Sequence, residues 1–274
     1  MRTKPQAKQS AARSTLSALV EKLQSQGTYT FTKVYALDQL GGTAPALEAA
    51  ARRLYAKGRL VAPRRGFYVV VPTEYRSAGA PPPIWFIDQL MSFHAQPYYV
   101  GLLTAAELHG AAHQRPQEFQ VITDSPLRPI VVGRTRMAFY TKRRLERIPV
   151  EKVKTPTGYV QASTPEATAF DLVRYVEAVG HLDNVANVFS ELLEKLSGQK
   201  LLAAAKAGVK LSVVQRTGYL IDAVGGERVS AKLADWLTKQ KPRPVPLRPD
   251  RPAGGGETNA RWRVVVNEEV VPDL

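Results

Sequence analysis

Arginine occurs in two adjacent pairs, Arg52-Arg53 and Arg64-Arg65, within one short stretch of the chain. A guanidinium group presents several N–H donors in one plane, which suits nucleic-acid phosphates and the major-groove edge of guanine. The stretch that must position them, residues 43–71, reads TAPALEAAARRLYAKGRLVAPRRGFYVVV. Two arginine pairs so close together predict contact with a polyanion.

The first pair falls on a predicted helix that has Thr43 as its N-cap and ends at Gly58. Apolar residues recur there at helical spacing and form one stripe, which consists of Leu47, Ala50, Ala51, Leu54 and Tyr55. Arg52 and Arg53 lie on the opposite side, among alanines that allow a partner to approach closely. The second pair falls on the turn Pro63-Arg64-Arg65-Gly66, which joins two β-prone segments and predicts a hairpin.

Two helices and a short strand are predicted before Thr43. The first helix has Ser14 as its N-cap and an apolar stripe formed by Leu16, Leu19, Val20 and Leu23. A strand at residues 29–31 precedes the second helix, residues 32–40, which carries Val34, Leu37 and Leu40 and stops at Gly41-Gly42. Short helix, glycine turn, capped third helix and basic hairpin together predict a winged helix-turn-helix over residues 13–71.

On this interpretation the third helix enters the major groove and the hairpin lies along an adjacent groove or the backbone. Arg52 projects nearest the middle of the outward face and is expected to read bases. Lys57, Arg59 and the hairpin arginines are expected to bind phosphate. The alternative interpretation is that Arg52 and Arg53 only solvate an exposed helix face.

The charge distribution favours a polyanionic partner for the N-terminal part. The chain of 274 residues carries a formal charge of +14. Residues 1–71 hold 12 Lys/Arg against 3 Asp/Glu, whereas residues 84–274 hold 25 against 20. Most of the excess therefore lies in about the first quarter of the chain, including an expected loose basic tail at residues 1–12.

Composition also excludes several classes of protein. The chain has no cysteine, so a thiol nucleophile and a cysteine zinc site are not possible, and a reducing, cytoplasmic location is expected. The sequence has no run of 18 apolar residues, so neither a spanning helix nor a membrane partner is predicted.

A second basic cluster occupies residues 130–154, with 8 Lys/Arg against 2 Asp/Glu. Its cations are Arg134, Arg136, Lys142, Arg143, Arg144, Arg147, Lys152 and Lys154. One interpretation is a second surface for flanking DNA, for RNA or for an acidic patch on a partner. The other is an ordinary solvated sheet edge, on which lysine and arginine discourage strand pairing.

The region after residue 71 predicts an α+β fold. Residues 72–83 are rich in proline and alanine and are expected to be a linker, followed by a mixed α+β domain at 84–240. Within it, helices are predicted at 84–94 and 102–109 and from 165 to about 240, and strands at 119–123, 130–132, 136–141 and 159–161. Residues 241–274 are expected to form a Pro/Gly-rich linker, to about 256, and a short C-terminal strand at 261–266.

No catalytic, cofactor or metal site is predicted. His109 and His113 are four residues apart, but an HExxH motif and a third ligand are missing, so His109 is expected to hydrogen-bond a carbonyl instead. Glu166 and Asp171 are separated by about 140° around a helix axis and do not face each other. The GxxxxGK[ST], GxGxxG and GxSxG motifs are absent, as is any Gly-Ser dipeptide, so the chain is not expected to be an enzyme.

The order of these parts resembles the AbiEi family of antitoxins, the regulators of type IV toxin–antitoxin and abortive phage infection systems. The residues that carry the resemblance are the KGRLVAPRRGFYVV hairpin, YYVGLLTAAELHGAAHQ at 98–114 and STPEATAFDLVRY at 163–175. The resemblance implies a repressor that binds inverted repeats in its own promoter and counters a nucleotidyltransferase toxin encoded beside it.

The resemblance also implies which residues touch DNA, namely Thr43, Arg52, Arg53, Arg64 and Arg65. Two copies, as a dimer or as cooperating monomers, are expected on one inverted repeat. Two other classes remain open: a nucleic-acid-directed enzyme with a winged-helix targeting module, and a winged module for RNA or protein contact.

Overall fold

The computed structural model describes residues 15–111, 116–252 and 256–270, so the expected basic tail at 1–12 lies outside them. Helices and sheets together give the mixed α+β class that the sequence predicts. The chain divides into two compact units. The smaller unit runs to Leu90 and includes Val131–Arg134, and the larger holds Met91–Ile130 and the chain from Thr135 onward. Among the described residues, none of the helices is long and apolar enough to cross a bilayer.

The smaller unit contains three helices and a three-stranded antiparallel sheet. In chain order these are α1 (Leu16–Ser25), β1 (Thr30–Thr32), α2 (Lys33–Leu40), α3 (Ala44–Ala56), β2 (Leu60–Arg64) and β3 (Phe67–Val70). Strand β3 lies between β1 and β2. Each helix begins after a threonine whose hydroxyl accepts a backbone N–H, and α2 ends at Gly41 in the left-handed conformation.

The apolar stripes of α1 and α3 form the core of the smaller unit. Leu16, Leu19, Val20 and Leu23 are all buried, as predicted. On α3 the buried side chains are Leu47, Ala51 and Leu54. Tyr55 is 37% exposed and Val34 is 77% exposed, so both differ from the prediction. In α2 the buried side chain is Ala36, because the short helix turns this small residue toward α1 and α3.

Residues 72–83 fold with the smaller unit instead of forming a free linker. They contribute one short 3-10 helix, Thr73–Tyr75, and lead into another, Pro83–Trp85. The Trp85 ring contacts the rings of Tyr29 and Tyr75, with centroids 5.0 and 5.1 Å apart. Pro72, Pro81 and Pro83 are buried, and the division between the units falls at Leu90 rather than in this segment.

The larger unit is built on a sheet that contains both parallel and antiparallel strand pairs. The elements are α4 (Ile87–Phe93), β4 (Tyr98–Val100), α5 (Leu102–Leu108), β5 (Glu118–Thr123), β6 (Ile130–Val132), β7 (Thr135–Thr141), β8 (Val150–Thr155) and β9 (Gly158–Ser163). Both α4 and β6 span the division between the units. Five strands lie in the order β7-β5-β4-β9-β8, so β8 is at an edge.

Five helices pack beside this sheet and enclose the main core: α6 (Pro165–Arg174), α7 (His181–Leu192), α8 (Gly198–Lys206), α9 (Leu211–Ala223) and α10 (Glu227–Lys239). Trp262 is fully buried among them, and its indole N–H donates to Asp222 Oδ2 at 2.7 Å. A Cβ at Gly218 on α9 would lie 2.1 Å from the Trp262 ring, so the close approach of ring and helix requires glycine.

The segment from residue 241 is folded and is not a linker in its described part. It forms a small sheet from β10 (Val245–Pro246), β11 (Glu257–Asn259) and β12 (Val264–Val266), with β12 in the middle. Arg248 is 6% exposed and donates to both oxygens of Asp250, at 2.7 and 2.6 Å. This ion pair between Arg248 and Asp250 stabilises the segment after residue 241 through side chains. The proline-rich composition did not indicate it.

Candidate nucleic-acid interface

The arginine pair on α3 is exposed to solvent, as the sequence predicts. Arg52 and Arg53 both point away from the buried stripe of Leu47, Ala51 and Leu54. Thr43 is exposed at the start of the helix, where its hydroxyl accepts the Ala46 backbone N–H at 3.4 Å. Lys57 is the exposed C-cap residue. The outward side of α3 therefore presents guanidinium groups from its last two turns.

The hairpin is tighter than predicted, because β2 extends to Arg64 and pairs this residue directly with Phe67. The turn is therefore reduced to Arg65 and Gly66, with Gly66 at a φ of +86° that glycine adopts easily. Arg65 is exposed at the tip, whereas Arg64 is half-buried at the end of the strand. The Lys33 backbone N–H donates to Gly66 O at 2.8 Å, which fastens this turn to the start of α2.

Glu48 on α3 lies within electrostatic reach of one arginine from each pair. Lys33 Nζ donates to Glu48 Oε1 at 2.6 Å. The pKa of Glu48 lies below its usual value, chiefly because of this hydrogen bond and the Lys33 charge, with further contributions from the charges of Arg65 and Arg52. Both guanidinium groups act on the same exposed carboxylate. Because Lys33 contacts Glu48 of α3 and Gly66 of the hairpin turn, the exposed face of α3 and the hairpin tip lie on one side of the smaller unit.

Sequence reasoning missed Lys33 and Glu48. The two are fifteen positions apart, on different helices, so neither helical spacing nor a local motif connects them.

Arg59 differs from the prediction that it binds phosphate. Its guanidinium donates to Ser17 Oγ at 2.9 Å and to Glu21 Oε1 at 3.0 Å, both on α1. Its side chain is only 22% exposed. Because its donors are engaged with α1, Arg59 fastens the start of the hairpin to the first helix.

The cations of the second basic cluster belong to both units and differ in their surroundings. Arg134 belongs to the smaller unit, where its backbone N–H donates to Ala78 O. Arg136 on β7 is paired with Glu118, its neighbour on β5, at 2.6 Å. Arg147 lies 3.9 Å from Glu146. Lys152 and Lys154 are exposed on the edge strand β8, where charged side chains discourage further strand pairing.

Lys142 was expected at this surface and is instead buried. Its Nζ lies 2.5 Å from Asp171 Oδ1, and the Tyr99 hydroxyl donates to Asp171 Oδ2 at 2.7 Å. Burial raises the pKa of Tyr99, and the Asp171 charge raises it further, so its hydroxyl keeps the proton that it donates. Lys142 directly follows β7, Asp171 lies on α6 and Tyr99 lies on β4. The contact between these three elements explains why a lysine of a basic cluster lies in the interior.

Arg143 and Arg144 follow Lys142 and remain exposed. They line a cavity of about 430 Å³ in the larger unit together with Arg174 and Lys210. These last two residues come from the end of α6 and from the loop before α9, and the sequence gave no reason to connect them with the basic cluster.

The remaining candidates have structural partners. His109 Nε2 lies 2.7 Å from Ser163 O, as predicted, and Nδ1 lies 3.6 Å from Glu151. His113 lies outside the described residues. Glu166 is buried and accepts the Ser197 backbone N–H at 3.0 Å.

Comparison with known proteins assigns the larger unit to a class. Residues 99–223, from β4 to α9, match the family model of the AbiEi antitoxin C-terminal domain. This part of the chain is therefore an antitoxin domain. The match confirms, for this part of the chain, the resemblance to the AbiEi family of antitoxins that was inferred from the sequence.

The fold is similar to the crystal structure of the RV2827C protein from Mycobacterium tuberculosis. The TM-score is 0.66, and the match covers 90% of this chain and 89% of the other at 17% sequence identity. At that identity the similarity concerns the fold alone. Curated proteins give no match to this chain.

Proposed function

We propose that this antitoxin is a DNA-binding repressor of a type IV toxin–antitoxin operon, and that the smaller unit is its winged helix-turn-helix. The order α1-β1-α2-α3-β2-β3 supports this assignment, with α3 as the recognition helix and the β2–β3 hairpin as the wing. The larger unit is the antitoxin domain, and the proposed partner that it counters is a nucleotidyltransferase toxin encoded beside it.

The observation that carries the proposal is that Lys33 joins the hairpin turn to α3, because its backbone N–H donates to Gly66 O and its ammonium group donates to Glu48 Oε1. A recognition helix and a wing bind one duplex only if their cations lie on the same side of the domain. Lys33 neutralises Glu48, so this carboxylate does not repel phosphate from the surface that it shares with the arginines.

The individual roles follow from position. Arg52 lies on the exposed side of α3 and is assigned to a base edge in the major groove. Arg53, Lys57 and Arg65 are assigned to phosphates, which position the domain without reading sequence. One small unit offers limited affinity, so two copies on an inverted repeat are proposed as the repressing form.

The test uses the full chain, a labelled duplex from its own promoter region and a salt titration read by fluorescence anisotropy. Arg52→Ala should weaken binding by about 1–3 kcal/mol and relax discrimination at one base pair. Arg65→Ala should weaken binding to all sequences alike and lower the salt slope by about one phosphate contact. Lys22→Ala is the matched control, because Lys22 is an exposed cation of α1 outside α3 and the hairpin.

Co-expression with the proposed toxin separates promoter repression from protection against the toxin. The Arg52→Ala/Arg65→Ala double variant should fail to repress the promoter and still protect cells from the toxin encoded beside it. If both single variants bind the promoter as tightly as the unaltered chain, the docking surface is wrong. If structured RNA displaces the promoter DNA at lower concentration than DNA itself, the repressor assignment is wrong.

A further inference from the structure

A cavity of about 430 Å³ in the larger unit has an unusual distribution of charge. It lies where the chain leaves β7, beside the end of α6 and the loop between α8 and α9. The cations that line it are Lys142, Arg143, Arg144, Arg174 and Lys210. The apolar side chains that line it are Ile148, Phe170, Val209 and Val213.

The positive charge of this cavity is not compensated from within. Asp171 is the carboxylate among the lining residues, and it is bound by Lys142 and the Tyr99 hydroxyl. Within the described part of the chain, Arg143, Arg144 and Lys210 form no ion pair with a carboxylate. These three cations are exposed and converge on one concave surface, which is a favourable place for an anion.

Two further features favour an anion at this place. Arg174 lies against the Tyr175 ring, with its guanidinium carbon 5.5 Å from the centroid, which restrains its side chain at the rim. Arg144 has a φ of +61°, a backbone conformation that non-glycine residues seldom adopt and that recurs at ligand-binding sites. With this backbone, successive arginines, Arg143 and Arg144, both line the cavity.

The size and the lining limit the class of ligand. Pockets of about 300–1,000 Å³ hold small molecules, whereas a duplex backbone crosses an exposed surface. A single phosphate would leave the apolar side uncovered. A molecule with several phosphates and an apolar ring would match the cationic rim and the aliphatic wall together.

We propose that this cavity binds a nucleoside polyphosphate, a function separate from promoter recognition. Arg143, Arg144 and Lys210 bind its phosphates, Arg174 borders them, and the base lies against Ile148 and Val209. Lys142 is a positioning residue, because its ion pair with Asp171 keeps this carboxylate from competing for the other cations.

The test measures binding of ATP and GTP to the full chain by isothermal titration calorimetry. One site per chain is expected, and Arg143→Ala/Lys210→Ala should weaken binding at least tenfold. Lys154→Ala is the matched control, because it removes an exposed cation of the same unit from the edge strand β8 and should bind as the unaltered chain does. Arg52→Ala/Arg65→Ala should also retain binding, which separates this site from the proposed DNA surface. Circular dichroism establishes that each variant is folded.

Four outcomes would overturn the proposal. One is the lack of saturable binding up to millimolar nucleotide, and another is equal loss in the pocket variant and the Lys154→Ala control. Inorganic triphosphate binding as tightly as ATP would show that no nucleoside is recognised. A short single-stranded oligonucleotide that displaces ATP at lower concentration would assign the cavity to nucleic acid.

Discussion

Removing one partner of the buried pair Lys142–Asp171 should destabilise the larger unit strongly. Asp171 is fully buried, the Lys142 side chain is 9% exposed, and Nζ lies 2.5 Å from Oδ1. Lys142→Met keeps the aliphatic bulk and removes the ammonium group. The Asp171 carboxylate then remains buried with the Tyr99 hydroxyl as its donor. Breaking such a pair costs about 3–5 kcal/mol, because one charge is left uncompensated.

The double variant Lys142→Met/Asp171→Leu should cost less than either single variant. Replacing both charges by apolar side chains removes the desolvation penalty of each, and it leaves the Tyr99 hydroxyl as the remaining unsatisfied group, at about 1–3 kcal/mol. The assay is urea unfolding of the full chain, followed by tryptophan fluorescence, since Trp262 is buried in the larger unit. The free energies of the two single variants and the double variant give the coupling between the charges.

Two results would refute this reasoning. A loss below about 1 kcal/mol for Lys142→Met would mean that water or a rearranged side chain replaces the ammonium group, against the cost expected for a buried charge. A double variant whose loss equals the sum of the single losses would show that the two charges act independently.

Gly218→Ala should destabilise by about 1–3 kcal/mol or more through overpacking, because the added Cβ would lie 2.1 Å from the Trp262 ring. The loss of stability is measured by thermal melting, with Ser212→Ala, also on α9, as the control. Equal melting temperatures of the two variants would contradict the prediction. Arg248 holds the pKa of Asp250 at about 2. The Asp250 carboxylate therefore stabilises the folded chain at pH values above its unfolded pKa of about 3.9, and this stabilisation is lost as the pH falls through about 2. Asp250→Asn should therefore lower the urea midpoint at pH 7 and leave it unchanged at a pH below about 2. An equal fall of the midpoint at the two pH values would contradict the prediction.

The smaller unit could be predicted closely because its signals are local. Thr43 caps α3, Gly41 ends α2, and the apolar stripe of α1 repeats at helical spacing. The residues that determine each of these features therefore lie within a few positions of it in the sequence. Strand β8 was missed for the opposite reason. Its sequence, VEKVKT, lacks the alternation of apolar and polar residues that marks a strand, and its position in the sheet depends on pairing with β9.

The fate of individual cations could not be predicted, because it depends on contacts between distant parts of the chain. Arg59 and Lys142 have the same chemistry as their exposed neighbours in sequence. Arg59 is engaged by α1 and Lys142 by Asp171 on α6. Counting charges along the sequence located two basic regions, whereas tertiary contacts decide which cations in them face solvent.

This distinction determines what the proposed DNA surface can contribute. Glu21 engages Arg59, and Glu48 engages Lys33, so two of the cations in the smaller unit are already compensated. The exposed cations that remain on α3 and the hairpin are Arg52, Arg53, Lys57 and Arg65. If all of them meet phosphate, one copy releases about four counterions, for a slope of log affinity against log salt of about −3.6. Two copies on an inverted repeat double the magnitude of this slope. If Arg52 contacts a base edge instead of a phosphate, the magnitude is smaller by about 0.9 for each copy. The salt titration therefore counts the bound copies and tests the assignment of Arg52 in one measurement.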